Sequence, residues 1–199
     1  MKQEEKDHAT GNRKPNRRFI LCDITGQMKE LASAEGLWVT SPIQCLDEAV
    51  DRPPEYILIH FGQISIKERE ALVELCAALK RNRYTRNHPM VALLVGKQRH
   101  LLESLNHAGV DFVQYVGPKP SEWMRIGKLL DTLGSNERME SQLAMVCPFL
   151  HYSEIDSVRE LTMCGAYLDR MILGGRWLHD ICETRNHLHC EYYLNPRVK

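Results

Sequence analysis

The cysteines near the carboxyl-terminal end of this sequence have the distribution of a metal centre. Of the seven cysteines among 199 residues, four fall after residue 146. These four are Cys147, Cys164, Cys182 and Cys190, separated by 16, 17 and seven residues. Thiolates are buried at low cost only when a cation neutralises them, and a segment of about 50 residues has too little core to hold itself together without a fastening. We therefore expect the four thiols to converge on one metal centre.

The spacing leaves three interpretations open. Structural zinc sites usually contain close C-x2-4-C pairs, which these cysteines do not form. Widely separated single cysteines, the first followed by Pro148, suit an iron–sulfur cluster, most simply a four-iron cluster approached from separate elements. The third interpretation is four unrelated reduced thiols. His187, between Cys182 and Cys190, is a further candidate ligand or a hydrogen-bond donor to a ligand.

The other three cysteines have a different setting. Cys22, Cys45 and Cys76 lie in apolar, regularly patterned stretches, where cysteine acts as a small core residue. Disulfides are not expected, because the number of cysteines is odd and the amino-terminal residues lack the apolar stretch of an export signal.

Five apolar runs of strand length alternate with amphipathic segments between residues 18 and 133. The runs are Phe19–Ile24, Leu37–Thr40, Tyr56–Phe61, Met90–Val95 and Phe112–Val116. Such runs are typical of parallel strands covered on both faces. Helical periodicity is clearest over Ile66–Leu79, Leu101–Ala108 and Trp123–Leu133, the last with Ser121 as an N-cap. Five strands alternating with five helices predict an α/β fold, a (βα)5 doubly wound parallel sheet.

In an open parallel sheet, functional residues gather at the carboxyl ends of the strands. Asp23 follows the core of the first strand, His60 lies at the end of the third, and Val95 and Gly96 follow the fourth. These are the positions at which chemistry is expected.

Three segments of this region carry a resemblance to a known family. They are PEYILIHFG around the third strand, HPMVALLVG at the fourth, and HAGVDFVQYV at the turn into the fifth. With them, residues 17–133 resemble a response-regulator receiver (CheY-like) domain. The resemblance implies a flavodoxin-like fold and an acceptor aspartate ending the third strand, the position that His60 occupies.

The remaining receiver positions are also altered. The family pairs two acids after the first strand to hold magnesium; Asp23 matches one of them and Ile24 replaces the other. The hydroxyl residue after the fourth strand is Val95 or Gly96, and the lysine that precedes a proline is displaced to Lys119. Magnesium prefers several oxygen ligands, and phosphoryl transfer depends on that ion. We therefore expect a degenerate site at Asp23 and His60, in a pseudo-receiver that does not take phosphate.

The domain prediction has four parts. Residues 1–16 are a flexible leader, 17–133 the receiver-like domain, 134–146 a connector, and 147–199 a small, mostly helical cysteine-rich metal module. Helical spacing of Ile155, Val158 and Leu161 predicts one helix in the module, and Trp177–Cys182 a second. The module loosely resembles cysteine-rich ends of bacterial signalling proteins, and no role is carried over from them.

Composition narrows the function. The 26 basic and 26 acidic side chains leave no net field, so nucleic acid is not an expected partner. No apolar run approaches the length of a membrane span, and a cytoplasmic protein is expected. An enzyme is not expected, because neither a nucleophile motif nor a glycine-rich phosphate loop is recognisable.

The sequence thus predicts a non-phosphorylatable signalling adaptor that binds a protein partner and carries an iron–sulfur centre responsive to redox state or a gas. The alternative is a protein-interaction scaffold fastened by zinc. Receiver domains commonly pair through their fourth and fifth helices, so the resemblance also implies a homodimer, with Trp123, Leu129 and Leu130 near that face.

Overall fold

The computed structural model describes residues 18–29, 36–117, 126–168 and 171–197. The expected leader, residues 1–16, lies outside these ranges, as do Lys119, Ser121 and Trp123. Residues 30–35, in the segment between the first two strands where the first helix is expected, also lie outside them.

Five parallel strands form the central sheet, in the order β2-β1-β3-β4-β5. They are β1 (Phe19–Cys22), β2 (Gly36–Val39), β3 (Tyr56–Phe61), β4 (Met90–Leu94) and β5 (Phe112–Tyr115). β1 and β4 are buried along their whole length, as unbroken apolar runs predict for strands covered on both faces. The order is that of the flavodoxin-like doubly wound fold, which confirms the predicted fold class.

Helices pack on both faces of the sheet. They are α1 (Pro42–Asp51), α2 (Ile66–Arg81), α3 (Arg99–His107) and α4 (Ile126–Asp131). α2 begins with a capping box, in which Ser65 Oγ accepts from the Glu68 N–H and the Glu68 carboxylate accepts from the Ser65 N–H. None of the helices in the described ranges has both the length and the apolar character needed to cross a bilayer.

The connector lies along the open edge of the sheet. The N–H of Val113 in β5 donates to the Glu137 carbonyl at 2.7 Å, and the N–H of Met139 donates to the Asp111 carbonyl at 3.1 Å. The following helix, α5 (Met139–Met145), packs on α3 and β5. The chain therefore covers its own edge strand, and this is the face through which the receiver resemblance implied a homodimer.

The cysteine module begins with an antiparallel sheet of β6 (Leu150–Glu154), β7 (Glu160–Cys164) and β8 (Met171–Ile172). The helix predicted from Ile155, Val158 and Leu161 is therefore wrong. Ile155 and Val158 lie in the β6–β7 turn and are 59% and 60% exposed. The Asp156 carboxylate accepts the N–H groups of Val158 and Arg159, which closes the turn and makes the three-residue spacing coincidental.

The rest of the module is helical but short. A π-helical turn spans Trp177–Cys182, where a helix was predicted, and a 3-10 turn spans Arg185–His189. α6 follows at Glu191–Leu194. Cys147, Cys164 and Cys182 belong to the same buried apolar cluster as residues of β3 and β4. The module is thus built onto the core of the sheet.

We predict that Gly36→Ala destabilises the sheet, because a methyl group there would lie 2.2 Å from the ring of Phe19. Phe19 is only 2% exposed and pairs with Gly36 across β1 and β2, so neither group can withdraw freely. We expect a loss of about 1–3 kcal/mol in the free energy of unfolding, measured by urea denaturation. Gly96→Ala is the matched control, since open space surrounds that position. Equal stability of the two variants would contradict the packing argument.

Candidate functional site

Asp23 and His60 form a buried pair at the carboxyl ends of β1 and β3. Both side chains are fully buried, and His60 Nδ1 lies 3.0 Å from Asp23 Oδ1. Gly62 makes room for the imidazole, because a Cβ there would lie 2.7 Å from His60 Cε1. The structure therefore brings together the two residues that the sequence predicts for the degenerate receiver site.

The Asp23 carboxylate is enclosed by hydrogen-bond donors. Oδ1 accepts from Thr25 N at 3.1 Å and Thr25 Oγ1 at 2.6 Å, and Oδ2 accepts from Met28 N at 2.7 Å and Trp38 Nε1 at 3.4 Å. Burial alone would raise the pKa of Asp23, but the hydrogen bonds from His60, Thr25 and Met28 outweigh it and hold the pKa well below 3.8. The ionised carboxylate can only accept, so His60 Nδ1 carries the donated proton.

The hydrogen bonds around Asp23 hold its carboxylate inside the protein. Both carboxylate oxygens of Asp23 are occupied by protein donors, and the neighbouring Ile24 offers no oxygen ligand. Val95, at the expected hydroxyl position, is 47% exposed and carries no polar side-chain atom. The site has the residues of a charge pair that stabilises the β1 turn, and lacks a second carboxylate for magnesium at these positions.

The four carboxyl-terminal cysteines lie in neighbouring parts of the module. The Cys147 N–H donates to the Cys182 carbonyl at 2.7 Å. Cys164 pairs with Leu150, three residues after Cys147, across β6 and β7. Cys190 follows the 3-10 turn, and its N–H donates to the His187 carbonyl at 3.0 Å. Cys147, Cys164 and Cys182 are each 7% exposed, and Cys190 is half-buried.

The electrostatics of these thiols reflect their proximity. Burial raises the pKa of Cys182 to about 12, and the other three cysteines of the set add to that shift. Burial also raises the pKa of Cys147, with further contributions from Cys164 and Cys190, while Arg99 opposes the rise. Cys164 and Cys190 therefore act on both Cys147 and Cys182. Within the described ranges, no three of the cysteine, histidine, aspartate and glutamate side chains stand close enough to hold a metal ion as placed.

His187 lies beside this set and is 3% exposed. Its Nδ1 is 2.6 Å from the Thr184 carbonyl, and its ring meets that of Tyr193 edge to face at 5.2 Å. A carbonyl can only accept, so Nδ1 carries the proton and the lone pair of the neutral ring is on Nε2. This is the arrangement in which histidine serves as a ligand through Nε2.

The remaining cysteines form a separate core group. Cys22, Cys45 and Cys76 are fully buried between β1, α1 and α2. A hydrogen bond between the Cys45 thiol and Cys22, together with burial, raises the pKa of Cys45, and burial followed by Cys22 raises the pKa of Cys76. Such thiols are inert. All seven cysteines lie in the described ranges, and none of them forms a disulfide.

An ion pair that the sequence analysis missed joins the module to the sheet. Arg69 of α2 donates two hydrogen bonds to the Glu160 carboxylate, at 2.7 and 3.0 Å, and Gln98 contacts both residues. Burial alone would raise the pKa of Glu160, but Arg69 and then His100 hold it below its usual value. The tip of the hairpin also reaches α2, where the Ile66 N–H donates to the Ser157 carbonyl at 2.8 Å. No local pattern signals such a contact, since 91 residues separate the two charges.

The hairpin overhangs the carboxyl ends of β3 and β4. A cavity of about 460 Å³ lies there, with Phe61, Leu94 and Leu101 among its apolar residues. Arg69 supplies a charge at its wall, and Val158 of the β6–β7 turn lines it from the module. The hairpin of the same chain therefore partly covers the carboxyl ends of β3 and β4, the edge of the sheet at which receiver chemistry would take place.

The architecture and the site together define a receiver-like α/β domain with an appended cysteine module. Solved structures similar to this chain are receiver domains. A response regulator from Desulfuromonas acetoxidans is 20% identical, with 59% of this chain and 99% of that chain covered and a TM-score of 0.43. The phosphorylated cyanobacterial phytochrome response regulator RcpA is 16% identical, with 58% and 91% covered and a TM-score of 0.45.

A CheY-like protein, TadZ, from Pseudomonas aeruginosa is 21% identical to this chain. The match covers 60% of this chain and 98% of that protein, with a TM-score of 0.40. No protein-family model matches the chain, and no curated protein matches it.

We predict that Asp23→Asn lowers the free energy of unfolding by about 3 kcal/mol at pH 7, because it removes an ionised acceptor that is enclosed by buried hydrogen-bond donors. The folded-state pKa of Asp23 lies below its ordinary 3.8, so the stabilisation is complete above about pH 5 and is lost as the pH falls further. Urea denaturation between pH 7 and pH 3 measures this difference. The difference in unfolding free energy between the parent and Asp23→Asn should become smaller as the pH falls. The control variant Asp47→Asn, at an exposed position, should have the same free energy of unfolding as the parent at every pH. Parallel decline of the Asp23 variant and the parent would contradict the argument.

Proposed function

We propose that this protein is a receiver-like signalling adaptor that does not accept phosphate and that carries a four-cysteine iron–sulfur centre responsive to redox state or a gas. The observation that carries the proposal is the mutual proximity of Cys147, Cys164, Cys182 and Cys190 beside the sheet. Receiver-like architecture supports a role in signalling through a protein partner.

The first part of the proposal, inertness to phosphate, has two supports. His60 holds the position of the acceptor aspartate, and the single acid at the end of β1, Asp23, is committed to that imidazole and to backbone donors. The β6–β7 hairpin also overhangs the ends of β3 and β4 and would hinder a phosphate donor. Phosphoryl transfer needs a carboxylate nucleophile and a metal held by several oxygens, and the residues around Asp23 supply neither.

The second part, the metal centre, is supported by the chemistry of the donor set. Three of the four thiols are nearly buried, and four thiolates in apolar surroundings are costly without a cation. The side chains as placed are too far apart for one ion, whereas the corners of a four-iron cluster are approached from further away than the ligands of a single zinc. When bound, such a cluster would supply a one-electron redox couple, and His187 would be a fifth group beside it.

We predict that acetyl phosphate with Mg²⁺ leaves no phosphoryl adduct on the parent protein, as measured by intact-mass spectrometry. The matched variant carries Ile24→Asp together with His60→Asp, which restores both acids. An adduct confined to that variant would assign the inertness to these two positions. A stoichiometric, acid-labile adduct on the parent chain would refute this part of the proposal.

We predict that protein purified without oxygen is brown, with broad absorption near about 400 nm from thiolate-to-iron charge transfer, and bleaches in air. Cys164→Ser and Cys190→Ser should release the metal and expose the module to proteolysis, while the sheet stays folded. Cys45→Ala, which removes a buried thiol outside the set, is the control and should keep the full metal content. A colourless protein with one equivalent of zinc would favour the zinc-fastened scaffold. Full metal content in all four single serine variants would refute a shared centre.

A further inference from the structure

Two loops that carry cysteines are fastened to one short segment of the sheet domain. Lys97 Nζ donates to the carbonyl of Glu183, the residue after Cys182, at 2.9 Å. The guanidinium of Arg99 donates to the carbonyl of Val146, the residue before Cys147, at 2.7 Å. Since Cys147 and Cys182 are also hydrogen-bonded to each other, both anchors act on the same pair of loops.

Arg99 makes several hydrogen bonds in addition to the one to the Val146 carbonyl. Its guanidinium also donates to the Leu143 carbonyl at 2.8 Å, so it closes the carboxyl-terminal turn of α5. Its Nε donates to Glu103 at 2.7 Å, and its backbone N–H donates to the hydroxyl of Tyr152 in β6 at 2.8 Å. The guanidinium holds the two carbonyls through Nη1 and the Glu103 carboxylate through Nε, two separate nitrogens that the single ammonium of lysine does not offer.

Lys97 stands between the module and the end of β5. Its Nζ lies 5.6 Å from the centre of the Tyr115 ring and also donates to the Glu183 carbonyl. Lys97 precedes α3 by two residues and Arg99 is its first residue, so both anchors belong to the connection between β4 and α3.

The charges of these anchors suit the centre. Four thiolates around a divalent ion or a four-iron core retain net negative charge, which is costly in an apolar pocket unless cations lie close by. Arg99 holds the carbonyl of the residue before Cys147, and Lys97 holds the carbonyl of the residue after Cys182. A change of metal content or charge at the centre would therefore act first on Lys97 and Arg99.

We infer that Lys97 and Arg99 couple the four-cysteine centre to the sheet, so that loading or loss of the centre alters the order of residues 97–103. The inference rests on the proposed function and adds to it the route by which the receiver-like domain receives the signal. Lys97 and Arg99 are positioning residues in this route, since the thiols alone would bind the metal.

Hydrogen exchange of the full chain tests the coupling. The chain is compared without metal and after anaerobic reconstitution with ferrous iron and sulfide, and separately with Zn²⁺. We expect loading to slow exchange at residues 97–103 by at least about fivefold, in addition to protection of the module itself. In the double variant Lys97→Gln with Arg99→Gln, the module should still be protected, while the effect at 97–103 falls below about twofold.

Three further variants sharpen the test. Lys67→Gln, an exposed lysine on α2, is the matched control and should keep the full effect. Arg99→Lys keeps the charge but not the two separate nitrogens, and should weaken the effect. If the double variant loses its far-ultraviolet circular dichroism and is therefore unfolded, Lys97→Gln alone replaces it in the exchange experiment.

Each outcome bears on the coupling, on the metal centre or on both. Metal-dependent protection at 97–103 that the double variant loses supports the coupling. A loaded chain that protects the module but leaves 97–103 unchanged, or a double variant that behaves as the parent, overturns the coupling while the metal centre stands. A chain that takes up neither iron–sulfur nor zinc overturns both.

Discussion

The backbone pairing between the connector and β5 determines how the rest of the chain is arranged. An edge strand leaves unpaired N–H and C=O groups, and here residues 137–139 take up those of Asp111 and Val113. This pairing sends α5 back across α3 and ends it at Val146, directly beside the segment that begins α3. The position of Cys147, and with it the start of the cysteine module, follows from that turn of the chain.

A second constraint is the buried charge of Asp23. A carboxylate with five donors around it contributes to folding only while its partners remain in place, and His60 is the partner from across the sheet. In a site that binds magnesium, the same oxygens would face the ion and water. Here protein donors occupy both oxygens, which offsets the cost of burying the carboxylate.

The sheet was predictable because its signals are local. Runs such as Met90–Leu94 are apolar throughout, and capping residues such as Ser65 and Glu68 mark where helices begin. The Asp23–His60 pair was also predictable, because parallel strand ends meet at one edge. The hairpin was not, since Ile155 and Val158 have a helical spacing that only the Asp156 turn contradicts. Contacts such as Arg69–Glu160 depend on how two distant segments dock, and no sequence pattern records that.

The connector and α5 cover one face of the sheet domain. Receiver domains commonly pair through the two helices that flank their edge strand, the fourth and fifth helices of that fold. In this chain, α5 and the residues before it pack along the edge strand β5 and along α3. A homodimer formed in that way would have to displace hydrogen bonds from Val113, Met139 and Arg99 together. The connector and α5 thus occupy the surface through which the receiver resemblance implied association. The module itself lies against the ends of β3 and β4, through the β6–β7 hairpin.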